Sequence, residues 1–92
     1  MNGLLIPGGA SSIWGSAYSE ASQYLFDLAK IANDAGDVFP VWGTCLGFEM
    51  LGAITTGGQR YLARCNSYDQ ALGLDLGQDW EQSNLLGQVR QY

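Results

Sequence analysis

The chain has 92 residues, of which 47% are hydrophobic and 14% are charged. Disordered segments are usually poor in apolar residues and rich in charge, so this composition predicts a packed chain. No apolar run approaches the roughly 18 residues that a membrane-spanning helix requires. The formal net charge is −5, and no basic patch offsets it. We therefore expect neither nucleic acid nor a membrane as a partner, because phosphate backbones and anionic lipids repel an acidic chain.

Two residue counts limit the chemistry. The sequence contains two cysteines, Cys45 and Cys65, and no histidine. Two cysteines are too few for a thiolate zinc site or a disulfide scaffold, and we expect neither a metal nor a cofactor. A Ser–His or Cys–His mechanism cannot be complete within these residues. Either the chemistry is of another type, or part of the enzyme lies outside this sequence.

The first predicted elements are a strand and a helix. The apolar run Leu4–Ile6 is stopped by Pro7-Gly8-Gly9, a pattern typical of a buried parallel strand. Apolar residues then recur at spacings of three and four, which predicts a helix from about 18 to 33. Gly36 is available as its left-handed cap. The residues expected on the apolar face are Tyr18, Ala21, Leu25, Leu28 and Ala32.

A second strand and a second helix follow. The run Val38–Gly43 predicts the strand, with Pro40 near its beginning because proline cannot donate to a ladder. The segment Leu46–Thr55 predicts the helix, which ends at Gly57-Gly58. The order strand, helix, strand, helix predicts an α/β fold with a parallel sheet.

The pattern weakens beyond residue 58. Alternation indicates a short strand at Arg60–Cys65 and another at Ala71–Leu76, with Cys65 in the core. The segment Asp79–Tyr92 is polar and carries no convincing end signal for a fold, so we expect the sequence to be a piece of a longer chain. Its beginning has neither the charged region nor the long apolar region of a secretory signal.

The sharpest motif is Gly43-Thr44-Cys45-Leu46-Gly47, which places a cysteine at a strand-to-helix turn. This is the nucleophile-elbow pattern with cysteine in place of serine, and glycines on both sides remove side chains that would collide in the turn. The following helix N-terminus stabilises a thiolate, and the Leu46 N–H would face a developing oxyanion. The alternative is that Cys45 is a buried small hydrophobe, but the strand before it and the helix after it favour the nucleophile.

Two further features lie near this motif in the predicted fold. The N–H groups of Gly8 and Gly9, at the end of the first strand, could complete an oxyanion hole; an ordinary tight turn is the alternative that the local sequence favours. Glu49 follows Cys45 by one helical turn. It could orient a substrate amine, or it could stabilise the N-terminus of its own helix.

These residues resemble a known family. The segment Phe39–Glu49 (Phe-Pro-Val-Trp-Gly-Thr-Cys-Leu-Gly-Phe-Glu) is similar to the nucleophile segment of gamma-glutamyl hydrolases, which are class I glutamine-amidotransferase-like cysteine peptidases. Residues Asn2–Gly9 resemble the oxyanion strand and loop of that family. The resemblance covers about residues 2 to 58 well. It implies a fragment of a doubly wound, mostly parallel, flavodoxin-like sheet.

The resemblance also implies a function and a set of site residues. Such enzymes remove gamma-linked glutamates from folylpoly-gamma-glutamates and antifolates, and they are lysosomal, vacuolar or secreted. Cys45 would be the nucleophile that forms a gamma-glutamyl thioester, and Leu46 and Gly9 would supply oxyanion N–H groups. Gly8 would shape the loop, and Glu49 would support the site. The implied partner is a small-molecule substrate, and a homodimer stays open.

The sequence departs from the family in what it lacks. The catalytic histidine of the family, its acidic partner and the strands before the Pro-Gly-Gly strand are not among these 92 residues. Residues 1–92 are therefore expected to be a partial domain that is inactive alone. Two alternatives remain: a glutaminase domain of an amidotransferase, which usually carries glutamine where this chain has Glu49, and a short non-catalytic interaction module with half of the fold.

Overall fold

A small parallel sheet and two helices form the fold. The computed structural model describes residues 2–83 and 86–87. The elements in chain order are strand β1 (Leu4–Ile6), helix α1 (Ala17–Asp34), strand β2 (Val41–Gly43) and helix α2 (Leu46–Thr55). The two strands pair in parallel, with Leu5 opposite Trp42, and both helices contact the sheet and each other. The predicted α/β class is confirmed, and the arrangement is consistent with part of a flavodoxin-like fold.

Helix α1 begins at a capping box. The Ser16 hydroxyl oxygen accepts from the Ser19 N–H at 3.1 Å, and the Ser19 hydroxyl oxygen accepts from the Ser16 N–H at 2.9 Å. Each bond satisfies a main-chain donor that has no partner inside the helix. The helix ends just before Gly36, which adopts the left-handed region at φ 84°. The predicted helix and its glycine stop are confirmed.

The face that α1 buries differs from the predicted one. Its buried residues are Ser19, Ser22 and Ala29, whereas Leu25 and Leu28 are 39% and 46% exposed. Small side chains allow a helix to approach its neighbours closely, and the spacing of apolar residues carries no information on that approach. The two leucines instead border an open cavity of about 300 Å³ beside β1.

The connection into β2 is fixed by a side chain. The Asn33 side-chain amide donates through Nδ2 to the Phe39 carbonyl at 2.8 Å, and the Phe39 N–H donates to Oδ1 of the same side chain at 3.0 Å. The next carbonyl, that of Pro40, accepts from the Leu4 N–H at 2.9 Å. The strand predicted from Val38 begins only at Val41, so Pro40 lies just before β2 rather than inside it, where its missing N–H is not needed.

The core is thin for a chain of this size. Its central cluster is formed by Ile13, Met50 and Ala53. The accessible surface is 7770 Å², against roughly 5,200 Å² expected for a folded protein of this mass. On one face of the sheet, Leu5 and Trp42 are 64% and 52% exposed. Parallel sheets normally bury both faces, so one covering layer is absent from the described part of the chain.

Both strands predicted beyond α2 are wrong. Within the described residues, Arg60–Cys65 and Ala71–Leu76 belong to no strand, and all of these residues except the half-buried Leu76 are exposed. An isolated strand leaves its N–H and C=O groups without partners, and no neighbouring strand is present here to accept them. Cys65 is exposed, so its predicted place in the core is also wrong. A single 3-10 turn follows at Trp80–Gln82, and part of the polar segment after it lies outside the described residues.

Candidate active site

The turn between β2 and α2 holds Cys45 in an unusual backbone conformation. Its φ is 53° and its ψ is −116°, and a positive φ is uncommon for a residue with a side chain. The N–H groups of Phe48 and Glu49 donate to the Cys45 carbonyl at 2.9 and 3.1 Å. The main chain of Cys45 is therefore held by the first turn of α2. Its thiol is unpaired and exposed at the carboxyl end of β2.

Close packing explains the two glycines that flank the turn. A Cβ atom on Gly43 would overlap the carbonyl of Gly47, and one on Gly47 would overlap the carbonyl of Ile6. A side chain at either position would therefore move the first turn of α2 away from the strand ends. The motif predicts that side chains in place of the glycines would collide in the turn, and these two overlaps are the collisions expected.

The Pro7-Gly8-Gly9 loop lies directly beside the cysteine. A Cβ atom on Gly8 would stand 3.1 Å from the Cβ and 3.6 Å from the sulfur of Cys45. A Cβ atom on Gly9 would stand 3.9 Å from a methyl group of Leu46. The structure thus brings together the loop and the cysteine turn, which are far apart in sequence, and a side chain at position 8 would contact Cys45 tightly.

Within the described residues, the Pro7-Gly8-Gly9 loop and the Cys45 turn hold main-chain amides without an acceptor. Among the described residues, neither the Leu46 N–H nor the Gly9 N–H makes a hydrogen bond. The first N–H groups of a helix have no intrahelical acceptor, which accounts for Leu46. Free amides beside a nucleophile are the kind of donor that binds the negative oxygen of an acyl-transfer intermediate.

Glu49 lies one turn along α2 and is half-buried. Its main-chain carbonyl accepts from the hydroxyl of Tyr61. Burial raises the pKa of the Tyr61 hydroxyl, and the negative charge of Glu49 acts in the same direction. The Glu49 charge therefore affects the pKa of a neighbouring hydroxyl. The Cys45 side chain, at the N-cap of α2, forms no capping hydrogen bond.

Tyr18 is a neighbour of the site that the sequence did not reveal. Its hydroxyl donates to the Pro7 carbonyl at 3.2 Å. Burial raises the pKa of Tyr18 above its ordinary value of 10.0, and the charges of Cys45 and Glu49 raise it further. The spacing of Tyr18 with Ala21 and Leu25 predicts a place on the apolar face of the helix, but spacing within one helix carries no information on contact with a distant loop.

The surroundings of the thiol are open. A cavity of about 550 Å³ lies between α1 and α2 and is lined by residues such as Trp14, Tyr24 and Ile54 rather than by Cys45. In ranges 2–83 and 86–87, no three His, Cys, Asp or Glu side chains gather as metal ligands would. Across the same ranges, no helix has the length and apolar character to cross a membrane.

The fold and the turn define an α/β protein with a strained, accessible cysteine between a parallel strand and a helix. No protein-family model matches the chain, but individual proteins do. It is 47% identical to a gamma-glutamyl hydrolase of Mus musculus over 57 residues, which are 62% of this chain and 18% of that protein. For the Homo sapiens gamma-glutamyl hydrolase the identity is 39% over 75 residues, 82% of this chain and 23% of that protein.

A plant protein shows the same similarity. Gamma-glutamyl hydrolase 1 of Arabidopsis thaliana is 37% identical over 76 residues, which are 80% of this chain and 21% of that protein. The predicted resemblance is confirmed: over the segment that it spans, the chain is similar to gamma-glutamyl hydrolases of mammals and of a plant. That segment is between 18% and 23% of the length of these three relatives.

Proposed function

We propose that the protein carrying this segment hydrolyses gamma-glutamyl amide bonds with Cys45 as its nucleophile. The observation that carries the proposal is the positive φ of Cys45 at a strand-to-helix turn, with Gly8 packed against the thiol. Nucleophile elbows hold their residue in this kind of strained, exposed position. The names of the relatives support the class of bond.

The chemistry follows from these positions. The Cys45 thiolate attacks the carbonyl carbon of the gamma-amide, and the carbonyl oxygen becomes negatively charged beside the N–H groups of Leu46 and Gly9. The C–N bond then breaks, the leaving amine takes up a proton, and a gamma-glutamyl thioester remains on Cys45. Water attacks the thioester, which releases the gamma-carboxylate and returns the thiol. Gly8 shapes the loop, and Glu49 supports the site.

The proton transfers require a group that these residues do not supply. The sequence contains no histidine, and a cysteine nucleophile is normally activated by an adjacent base. We propose that a histidine with an acidic partner acts from elsewhere in a longer chain. The greater length of the relatives supports this. Residues 1–92 would then be part of a class I glutamine-amidotransferase-like domain, and inactive alone.

The resemblance also suggests the substrate class and the location. We propose poly-gamma-glutamylated folates and antifolates as substrates, in a lysosome, in a vacuole or outside the cell. The cysteine mechanism requires neither a metal nor an organic cofactor.

The test uses the full-length natural protein and a pteroyl-polyglutamate, with the alpha-linked isomer as a substrate control. We expect glutamate release from the gamma-linked compound only. Loss of a catalytic nucleophile costs several orders of magnitude in rate, so Cys45→Ala should lower kcat by at least roughly 1,000-fold. Cys65→Ala is the matched control and should keep kcat within about twofold, since surface substitutions away from a site have small effects.

Three results would contradict the proposal. Full activity of Cys45→Ala would show that another group is the nucleophile. Release of ammonia from glutamine, without cleavage of gamma-linked peptides, would identify a glutaminase domain. A folded full-length protein that turns over neither compound would indicate a non-catalytic interaction module.

A further inference from the structure

We infer that Tyr18 is a positioning residue, which holds the Pro7-Gly8-Gly9 loop against Cys45 through the Pro7 carbonyl. The inference rests on the proposed function, because it concerns the same site.

Tyr18 joins two parts of the molecule that the site requires. It lies in the first turn of α1, where it packs against the core cluster of Ile13, Met50 and Ala53. Its hydroxyl reaches the Pro7 carbonyl at 3.2 Å. Within the described part of the chain, no other hydrogen bond involves residues 7 to 9. The hydroxyl is therefore the polar anchor of this loop.

The anchor fixes the direction of a neighbouring amide. The Pro7 carbonyl and the Gly8 N–H belong to one peptide unit, and in a planar trans peptide the two groups point in opposite directions. Glycine has more backbone freedom than any other residue, so two successive glycines leave an unanchored loop with many conformations. Holding the Pro7 carbonyl restricts the loop where Gly8 lies beside Cys45, one residue before the Gly9 N–H.

The surroundings of Tyr18 keep it a hydrogen-bond donor. Burial, the Cys45 charge and the Glu49 charge all raise the pKa of its hydroxyl. The phenol therefore stays protonated when Cys45 is a thiolate, and its hydrogen bond to Pro7 persists in the state of the site that attacks a substrate.

Such an anchor is expected to affect the chemical step more than binding. Amides that stabilise an oxyanion act mainly in the transition state, so their misplacement lowers kcat with little change in KM. A displacement of about 1 Å in an active site costs up to roughly 100-fold in rate. Removing the hydroxyl alone should give a smaller loss, because the ring still packs in the core.

The experiment compares Tyr18→Phe with Tyr24→Phe in the full-length protein. Tyr24 lies on the same helix, is 65% exposed and, among the described residues, makes no hydrogen bond. We expect Tyr18→Phe to lower kcat by about 10- to 100-fold with KM within about twofold. Tyr24→Phe should match the wild type. Hydrogen exchange of a peptide covering residues 7 to 13 should become faster in Tyr18→Phe only.

The outcomes separate this inference from the proposed function. If the wild type cleaves the gamma-linked substrate but Tyr18→Phe keeps its kcat, the positioning role is wrong. A Tyr18→Phe effect confined to KM, or loop exchange equal to that of Tyr24→Phe, would also overturn it. If the wild type has no activity, the proposed function fails. In that case hydrogen exchange alone tests the hydrogen bond from Tyr18 to Pro7, and faster exchange in Tyr18→Phe would still support it.

Discussion

The backbone at Cys45 has an energetic cost that the rest of the turn must offset. Non-glycine residues in sparsely populated regions of φ and ψ cost on the order of 1–3 kcal/mol each. Here the φ of 53° is held by two hydrogen bonds to the Cys45 carbonyl, from Phe48 and Glu49. The position is thus shaped for an exposed thiol at the expense of stability.

Glycine at this position should relieve the strain. We expect Cys45→Gly to be more stable than Cys45→Ala by about 1 kcal/mol, because glycine lacks the Cβ that opposes a positive φ. Both variants should be inactive. Urea denaturation of the full-length protein measures the difference. A Cys45→Ala protein as stable as Cys45→Gly would show that the backbone here is unstrained.

Gly47 should tolerate no side chain. Its Cβ would overlap the Ile6 carbonyl, so we expect Gly47→Ala to lower the free energy of unfolding by about 2–4 kcal/mol. Gly73→Ala is the control, because nothing lies within 4 Å of a Cβ there. It should change stability by less than about 1 kcal/mol. Equal stability of the two variants in urea denaturation would contradict the packing described.

Tyr18 should make stability depend on alkaline pH. Its pKa is raised in the folded chain, so its contribution is present below the unfolded pKa of about 10 and is lost as the pH rises through the folded pKa. The stability advantage of the wild type over Tyr18→Phe should therefore shrink above about pH 10. Urea denaturation of the full-length proteins at a series of pH values measures this. A constant or growing advantage would be inconsistent with the raised pKa.

Single residues differ in how far the sequence reveals them. The turn at Cys45 and its flanking glycines could be predicted because such a turn needs small residues at fixed spacing. The hydrogen bond of Tyr18 to Pro7 could not, since it joins residues eleven positions apart in the chain. The predicted place of Cys65 in the core is wrong because alternation with Tyr61 and Ala63 indicates a buried strand only where another strand is available to pair.

Among the elements, helix α1 shows what periodicity can and cannot establish. Its extent followed from the spacing of apolar residues and the glycine at its end. Which face it buries depended on how closely Ser19, Ser22 and Ala29 allow it to approach its neighbours. Which residues meet at a contact depends on both of the packed elements, so the spacing within one helix does not predict it.

The capping box should contribute measurably to this helix. Ser16 accepts from the Ser19 N–H, and replacing such a cap by alanine costs about 1 kcal/mol. We expect Ser16→Ala to lower stability by that amount in chemical denaturation of the full-length protein. Ser11→Ala is the control, because Ser11 is exposed and makes no hydrogen bond among the described residues. Identical losses in the two variants would argue against the cap.

At the scale of the whole molecule, the exposed apolar surface predicts weak independent folding. More than half of the surface of Leu5 and Trp42 is exposed on the sheet, and Leu25 and Leu28 are partly exposed on α1. A small domain with little buried surface has marginal stability, and large exposed apolar patches promote association.

We expect the 92-residue chain alone to unfold without a sharp transition and to bind a hydrophobic dye. The full-length protein is the control and should melt cooperatively with little dye bound. Circular dichroism during heating and dye fluorescence measure the two properties. A cooperative melt of the 92-residue chain without dye binding would mean that its thin core is sufficient.

The register of the two strands also determines where the chain can change in length. Ile6 pairs with Gly43 and its carbonyl accepts from the Thr44 N–H at 3.0 Å, so the segment after β1 reaches Cys45 at a fixed position. Each residue of a strand advances the chain by about 3.3 Å and reverses the face of the next side chain. Deletion of Ile6 would therefore either draw Gly8 away from the thiol or turn Leu5 inward into the place of Ile6. An insertion between residues 10 and 12 would leave both strands in register, so length variation is tolerable in that loop and not in the strands.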